Sequence, residues 1–204
     1  GIREHMRNVD VVFGTRAIAS LPDLIVDALN GSKKNVFADT SEDDPGFSSD
    51  LPSRREDVWH AWVPIMTGCN NFCSYCIVPY VRGRERDRAF ESIVDEVRTL
   101  HEEGVREVCL LGQNVNSFGR QRYGSPRFAE LLRAVGETGI ERIRFTSSHP
   151  KDLSDETIAA MAETPAVMPQ LHLAVQSGST RVLKAMNRHY TREDYLALAD
   201  RIKQ

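Results

Sequence analysis

The chain has 204 residues, enough for one sizeable domain or for a domain with part of a second. Its 41% hydrophobic and 27% charged residues are ordinary for a globular protein, and a net charge of -3 gives no electrostatic case for nucleic-acid binding by the chain as a whole. No apolar run approaches the ~20 residues of a membrane span, and no charged-then-apolar signal segment opens the chain, so no membrane partner is expected. Four cysteines, three of them clustered, do not make a secreted disulfide scaffold; they point to a reducing compartment, the cytoplasm.

Residues 1–38 read as the end of an α/β domain. Asn8–Gly14 has the pattern of a short buried strand. Ser20 is placed to cap a helix with Pro22 in its first turn, Leu24, Ile25, Ala28 and Leu29 on its apolar face, and Gly31 as its stop. Asn35–Ala38 reads as a second short strand. So little chain cannot bury a core of its own, and an N-terminal truncation is expected. Residues 39–57 are rich in Asp, Ser, Glu, Pro and Gly, without apolar periodicity, and read as a linker.

From residue 58 the pattern changes. Trp59–Met66 is strand-like and leads into the cysteine loop. Phe90, Ile93, Val94, Val97 and Leu100 repeat at helical spacing up to Gly104. Glu107–Leu111 reads as a buried strand followed by the polar turn Gly112-Gln113-Asn114. A helix carrying Phe128, Leu131, Leu132 and Val135 comes next, then a strand over Arg142–Thr146 running into Ser147-Ser148-His149-Pro150. Ser154 is placed to cap a helix with Asp155 and Glu156 in its first turn. Gln170–Val175 reads as a fourth strand ending at Gln176-Ser177-Gly178, followed by helices carrying Val182, Leu183 and Met186, and then Tyr195, Leu198 and Ile202 behind Thr191. Strand and helix alternate, which predicts an α/β fold with a parallel sheet whose functional residues lie at the strands' C-terminal ends.

Cys69, Cys73 and Cys76 are spaced C-x3-C-x2-C on one loop. So short a ring strains a disulfide, whereas thiolates so placed can converge on an inorganic centre. Zinc is one reading, but it wants four ligands, and His60 or His149 would have to complete the set from a distance. An iron–sulfur cluster held by only three cysteines is the other. Cys109, in mid-strand, reads as a buried small hydrophobe, and His149 as a structural histidine. Arg82, Arg84, Arg86 and Arg88 alternate. In an extended segment they would share one face, able to meet phosphates; with Glu85 and Asp87 between them, they could equally form a solvated, salt-bridged surface.

The cysteine spacing, the aromatic Tyr75 before the last cysteine and the preceding strand resemble the radical S-adenosylmethionine (radical SAM) superfamily. Pro64–Arg86, Leu110–Phe118, Ser147–Pro150 and Leu173–Ser179 resemble the MiaB-type tRNA methylthiotransferases in particular, and Val9–Thr15 resembles the end of that family's N-terminal domain. The resemblance implies an incomplete radical-SAM (βα) half-barrel with parallel strands over 58–204, truncated before its last strands. It implies a [4Fe–4S] cluster on Cys69, Cys73 and Cys76 whose open iron binds S-adenosylmethionine and cleaves it to methionine and a 5′-deoxyadenosyl radical. It also implies methylthiolation of an isopentenyl-modified adenosine next to the tRNA anticodon.

By the same resemblance Tyr75 would flank the adenine, Gly112, Gln113 and Asn114 would lie near the methionine amino group, and Ser147, Ser148 and Gln176 would offer ribose or carboxylate contacts. Plain packing, a polar turn and helix capping are the alternatives at those positions. A second [4Fe–4S] cluster is expected only in the full-length protein, since no cysteine precedes Cys69. The family's C-terminal RNA-binding domain is expected to be missing, so most of the tRNA contact would lie elsewhere and the fragment alone is expected to be inactive. A flavodoxin or ferredoxin would supply electrons. The sister enzyme acting on a ribosomal protein, and a non-catalytic metal-binding module, are the competing readings.

Overall fold

The computed structural model describes residues 5–6, 8–31, 36–37, 55 and 57–204. The chain divides into two compact units, Gly1–Arg54 and Arg55–Gln204. The expected linker, residues 39–57, lies outside the described residues apart from Arg55 and Asp57.

In the first unit, β1 (Val12–Phe13) pairs in parallel with β2 (Val36–Phe37), Val12 opposite Val36. The expected buried strand over 8–14 is thus only two residues long, and it is half-buried. Helix α1 (Leu21–Leu29) has Pro22 in its first turn. Ser20 does not cap it through its side chain, because a 3-10 helix over Thr15–Ser20 runs straight into α1 and leaves Ser20 in helical backbone. None of the residues of α1 is buried; Ile25 and Leu29 are exposed.

The second unit is built on a parallel sheet in the order β3-β6-β7, with β3 (His60–Pro64), β4 (Met66–Thr67), α2 (Val78–Val81), β5 (Arg86–Asp87), α3 (Phe90–Glu102), β6 (Glu107–Leu111), α4 (Arg120–Tyr123), α5 (Phe128–Gly136) and β7 (Arg142–Phe145) in chain order. Three helices follow, α6 (Asp155–Glu163), α7 (Thr180–Ala185) and α8 (Arg192–Ile202). Register is direct, His60 opposite Glu107 and Glu107 opposite Arg142. A central parallel strand is covered on both faces, which explains the unbroken apolar run of β6. Ile93, Val97 and Leu100 of α3, and Phe128, Leu131, Leu132 and Val135 of α5, pack on Val63, Val108, Leu110 and Ile143 in one core. Phe128 meets Phe145 edge to face at 5.0 Å. Ser154 caps α6 by accepting from Thr157 N at 3.2 Å, and Thr191 and Asp194 form a reciprocal capping box at α8.

Four expectations need correction. The strand read over Trp59–Met66 divides at Ile65: its N–H still bonds Leu111 O at 2.9 Å, but Met66 and Thr67 turn away to pair antiparallel with Asp87 and Arg86. The fourth strand over Gln170–Val175 does not form. Its one backbone bridge among the described residues is Ser148↔Leu173; the neighbouring bridge, Ile143↔Val167, precedes the stretch, and Pro169 lies between the two without an N–H to give a ladder. The short helices α2 and α4 were not expected. Nor do the alternating arginines share a face. Arg82 caps α2, the left-handed Gly83 breaks the segment, Arg84 lies over the Phe72 ring at 5.0 Å, and Arg88 is buried in an ion pair with Glu96. Glu85 and Asp87 are buried rather than solvated, and burial raises both carboxyls above their ordinary range.

Among the described residues no helix is long and apolar enough to cross a membrane.

Candidate metal and cofactor site

The cysteine loop leaves β4 through Gly68, whose φ of +73° is left-handed. The turn brings Cys69 N against Gly83 O at 3.1 Å. Asn70 and Glu85 then clasp each other: Asn70 N donates to Glu85 Oε1 at 3.2 Å, and Glu85 N donates to Asn70 Oδ1 at 3.3 Å. Asn71 N donates to Cys69 Sγ at 3.4 Å, and Cys76 N donates to Cys73 O at 3.0 Å. The loop backbone is therefore fixed at several points by the chain's own hydrogen bonds. Cys69 and Cys73 are buried, Cys76 is half-buried, and none is in a disulfide. Burial pushes the Cys69 thiol up, and the nearby Glu85 carboxylate adds to the shift.

The strand ends meet the loop through a hydrogen-bonded chain. After β6, Asn114 Nδ2 donates to Asp152 Oδ2 at 2.8 Å. Lys151 Nζ sits 3.6 Å from that same oxygen and donates to Asn71 Oδ1 of the cysteine loop at 2.8 Å. Asn116 Oδ1 accepts from His149 N at 3.2 Å, tying β6's end to β7's. Gly112 is needed because a Cβ there would stand 2.6 Å from Met66 Cγ. Asn114 is thus linked to the loop, and Gly112 packs on Met66 just before it. Ser147 has a left-handed φ of 66° and donates its N–H to His172 Nδ1 at 3.4 Å. Gln176, also left-handed, is exposed and stands outside this chain of contacts. Tyr75 is 53% exposed; burial of the rest raises its phenol, and the Arg188 cation opposes that shift.

Several polar atoms here are buried without a partner among the described residues: Gln113 Oε1, Asn114 Oδ1, Asn116 Nδ2 and Ser148 Oγ. An unsatisfied buried polar atom costs roughly 1–3 kcal/mol, so a group of them at one end of a sheet marks a place for a polar ligand. Asn116 was not singled out from sequence; its place in the polar run after β6 was the available signal. Arg188 was missed as well. It is 5% exposed and points Nη1 at Cys73 Sγ, 3.3 Å away. Cys109 and His149 behave as expected. Burial pushes the Cys109 thiol up to about 11 and lowers the His149 imidazole to about 4, the Arg188 charge adding to the latter shift.

The donor chemistry suits a soft-metal centre: three free thiols on one loop, two of them buried, with a cation beside one sulfur. Among the described residues no three His, Cys, Asp or Glu side chains are already gathered as a formed metal site. The loop backbone is fixed, and gathering the three sulfurs would need only changes of cysteine rotamer.

Residues 63–204 match the profile of the Radical SAM superfamily. Proteins named tRNA-2-methylthio-N(6)-dimethylallyladenosine synthase are 48% identical over 100% of the chain in Acetivibrio thermocellus, 51% over 96% in Caldicellulosiruptor saccharolyticus and 54% over 96% in Acidothermus cellulolyticus. The chain spans 42%, 41% and 39% of those relatives' own lengths. Among solved structures, the radical S-adenosylmethionine methyltransferase TsrM from Kitasatospora setae, with cobalamin and a [4Fe-4S] cluster bound, superposes with a TM-score of 0.52 at 18% identity, over 70% of this chain and 28% of that one. SuiB from Streptococcus suis, bound to the precursor peptide SuiA, gives 0.51 at 16% identity over 91% of this chain and 43% of its own. These two likenesses speak for the fold alone. With its profile match covering more than half of the sequence, the chain belongs to the radical SAM superfamily.

Proposed function

We propose that this chain is the radical SAM core of an enzyme that methylthiolates an isopentenyl-modified adenosine next to the tRNA anticodon. The observation that carries the reading is identity of 48–54% across 96–100% of the chain to relatives named for that product. In this reading Cys69, Cys73 and Cys76 hold a [4Fe–4S] cluster. When bound, such a cluster supplies the electron that cleaves S-adenosylmethionine reductively.

The chain's own residues bind, orient and shield. Tyr75 offers a partly exposed ring on which an adenine can stack. Gly112 lets the end of β6 pack closely on the buried Met66, where a Cβ would stand 2.6 Å from Cγ, and so seats the turn that carries Gln113 and Asn114. Gln113 Oε1 and Asn114 Oδ1 are acceptors suited to the methionine ammonium, whereas Asn116 Nδ2 and Ser148 Oγ can donate to a carboxylate or a ribose hydroxyl. The left-handed backbone turns the chain sharply at Ser147, just after β7, and at Gln176, and in this reading both residues offer ribose or carboxylate contacts. In the whole protein the tRNA, an electron donor such as flavodoxin or ferredoxin, and a second cluster complete the system, in the cytoplasm.

The test uses the full-length protein, reconstituted anaerobically with iron and sulfide. Visible iron–sulfur absorbance should appear and vanish on Cys73→Ala. Addition to tRNA from a strain lacking the gene should then produce the methylthio mass increment on the adenosine. Stoichiometric zinc in a colourless protein would refute the cluster. A mass increment on ribosomal protein, with none on tRNA, would refute the substrate.

A further inference from the structure

Residues 185–190 form a strap over the cysteine loop. Helix α7 ends in a Schellman arrangement: Arg188 N bonds Leu183 O at 3.0 Å and Asn187 N bonds Lys184 O at 3.1 Å, with Asn187 left-handed at φ 57°. The chain is thereby folded back, and a second left-handed residue, His189 at φ 57°, turns it again. Such backbone persists only where surrounding contacts hold it. Here they do. Ser74 N donates to Met186 O at 3.1 Å, Ser74 Oγ donates to Ala185 O at 3.0 Å, and Asn187 Nδ2 donates to Phe72 O at 2.8 Å. Cys73 is gripped on both sides.

The same strap delivers Arg188 Nη1 to Cys73 Sγ, while its Nε donates to Tyr190 Oη at 3.3 Å. Tyr190 is itself anchored, donating to Val175 O at 2.9 Å, and its ring lies beneath the guanidinium at 5.3 Å. No carboxylate pairs with Arg188 among the described residues. A cation buried without an anion is costly, so the site is shaped for negative charge at Cys73. A metal-bound thiolate provides that charge, and hydrogen bonds to cluster sulfurs raise reduction potential because the reduced cluster carries one more negative charge.

We infer that Arg188, oriented by Tyr190, is a positioning residue that sets the reduction potential of the cluster on Cys69, Cys73 and Cys76. The inference rests on the cluster assignment proposed above. It makes the strap an electronic element as well as a mechanical one: the cation favours the reduced state from which S-adenosylmethionine is cleaved.

The experiment is a potentiometric titration of the reconstituted full-length protein, without S-adenosylmethionine, following the paramagnetic signal that Cys73→Ala abolishes. Arg188→Gln should lower the reduced-to-oxidised ratio at fixed potential by roughly tenfold, a midpoint about 59 mV more negative for a one-electron couple. Arg188→Lys, which keeps the charge, should recover most of that shift. Tyr190→Phe keeps the ring and removes the hydroxyl; it should move the midpoint the same way by less, and it carries the test if the Gln variant does not hold iron. An iron-loaded Gln variant at the wild-type midpoint overturns the inference. So does an unmoved Phe variant, or a Lys variant shifted as far as Gln, which would make the effect one of packing. If the wild type shows no signal dependent on the three cysteines, the cluster assignment itself falls, and Arg188's role with it.

Discussion

Gly68→Ala tests whether the cysteine loop depends on its first turn. A Cβ on Gly68 would lie 2.0 Å from Arg84 O, 2.6 Å from Arg84 C and 2.7 Å from Gly83 O. All three are backbone atoms, so no change of rotamer relieves the overlap. Holding an alanine at φ +73° costs about 1–2 kcal/mol by itself. Separating residues 68–69 from 83–84 also breaks the bond from Cys69 N to Gly83 O, a further ~0.5–1.5 kcal/mol. Gly124→Ala is the matched control. Its φ is +82°, but nothing lies within 4 Å of the place its methyl would take, so only the first cost applies. Urea unfolding of the apo chain should therefore show Gly68→Ala less stable than Gly124→Ala by about 1 kcal/mol, through a lower midpoint at unchanged slope. Iron bound per chain after reconstitution should fall in the first variant and hold in the second. Equal losses of stability, or full iron in Gly68→Ala, would refute the claim that this turn sets the loop.

Other variants probe different links. Cys109→Ala should keep full iron, whereas alanine at Cys69, Cys73 or Cys76 should lose it; with its thiol pushed up to about 11, Cys109 should also resist alkylation in the native apo chain near neutral pH. His149 is held neutral, its value lowered to about 4 from 6.5. The unfolded chain therefore takes up the proton more readily, and this group's contribution is complete above about pH 6.5 and lost as pH falls toward 4, up to about 3 kcal/mol. His149→Gln should remove that part of the pH slope between native and variant unfolding curves; an unchanged slope would assign it to other groups. Leu132→Ala empties a fully buried position between α5 and the sheet and should cost about 2–5 kcal/mol in the same urea assay. Thr191→Ala should cost about 1 kcal/mol, measured the same way, because it opens the capping box of α8.

The parts of this fold that were legible are those where one local signal decides. β6 was read at its true ends because a doubly covered strand is apolar at nearly every position, and α3 was read because its buried stripe recurs at helical spacing. The failures come where partners distant in sequence decide. Gln170–Val175 has strand composition, but among the described residues only Leu173 makes a backbone bridge, opposite Ser148, so propensity had no ladder to join. Glu85 and Asp87 look solvated in sequence. They are buried because Asn70 N and the backbone N–H groups of Gln121 and Arg122 reach them. The cysteines stand out by their spacing, which by itself leaves zinc and an iron–sulfur cluster both open. Arg188 does not stand out, since its contact with Cys73 spans 115 residues and nothing near it in sequence points to a sulfur.

The two ends of the sheet differ in a way that bears on where a ligand belongs. At the N-terminal end of β6, the buried Glu107 carboxylate is ion-paired with Arg142 Nε at 3.1 Å and Arg144 Nε at 3.2 Å, although Arg144 Nε makes no hydrogen bond among the described residues. At the C-terminal end, Gln113, Asn114, Asn116 and Ser148 each keep a buried atom unmatched. Each such atom costs roughly 1–3 kcal/mol wherever no partner meets it, so the group favours a polar ligand at this end. A sequence that matches a buried carboxylate at one end is able to match amides and a hydroxyl at the other, where apolar or shorter side chains would serve. The unmatched atoms also fall beside a loop whose backbone is fixed at Cys69, Cys73 and Cys76, and they include both donors and acceptors. That combination supports the proposal of a zwitterionic cofactor, which presents an ammonium and a carboxylate. It is poorly suited to a bare metal ion, which would recruit acceptors alone.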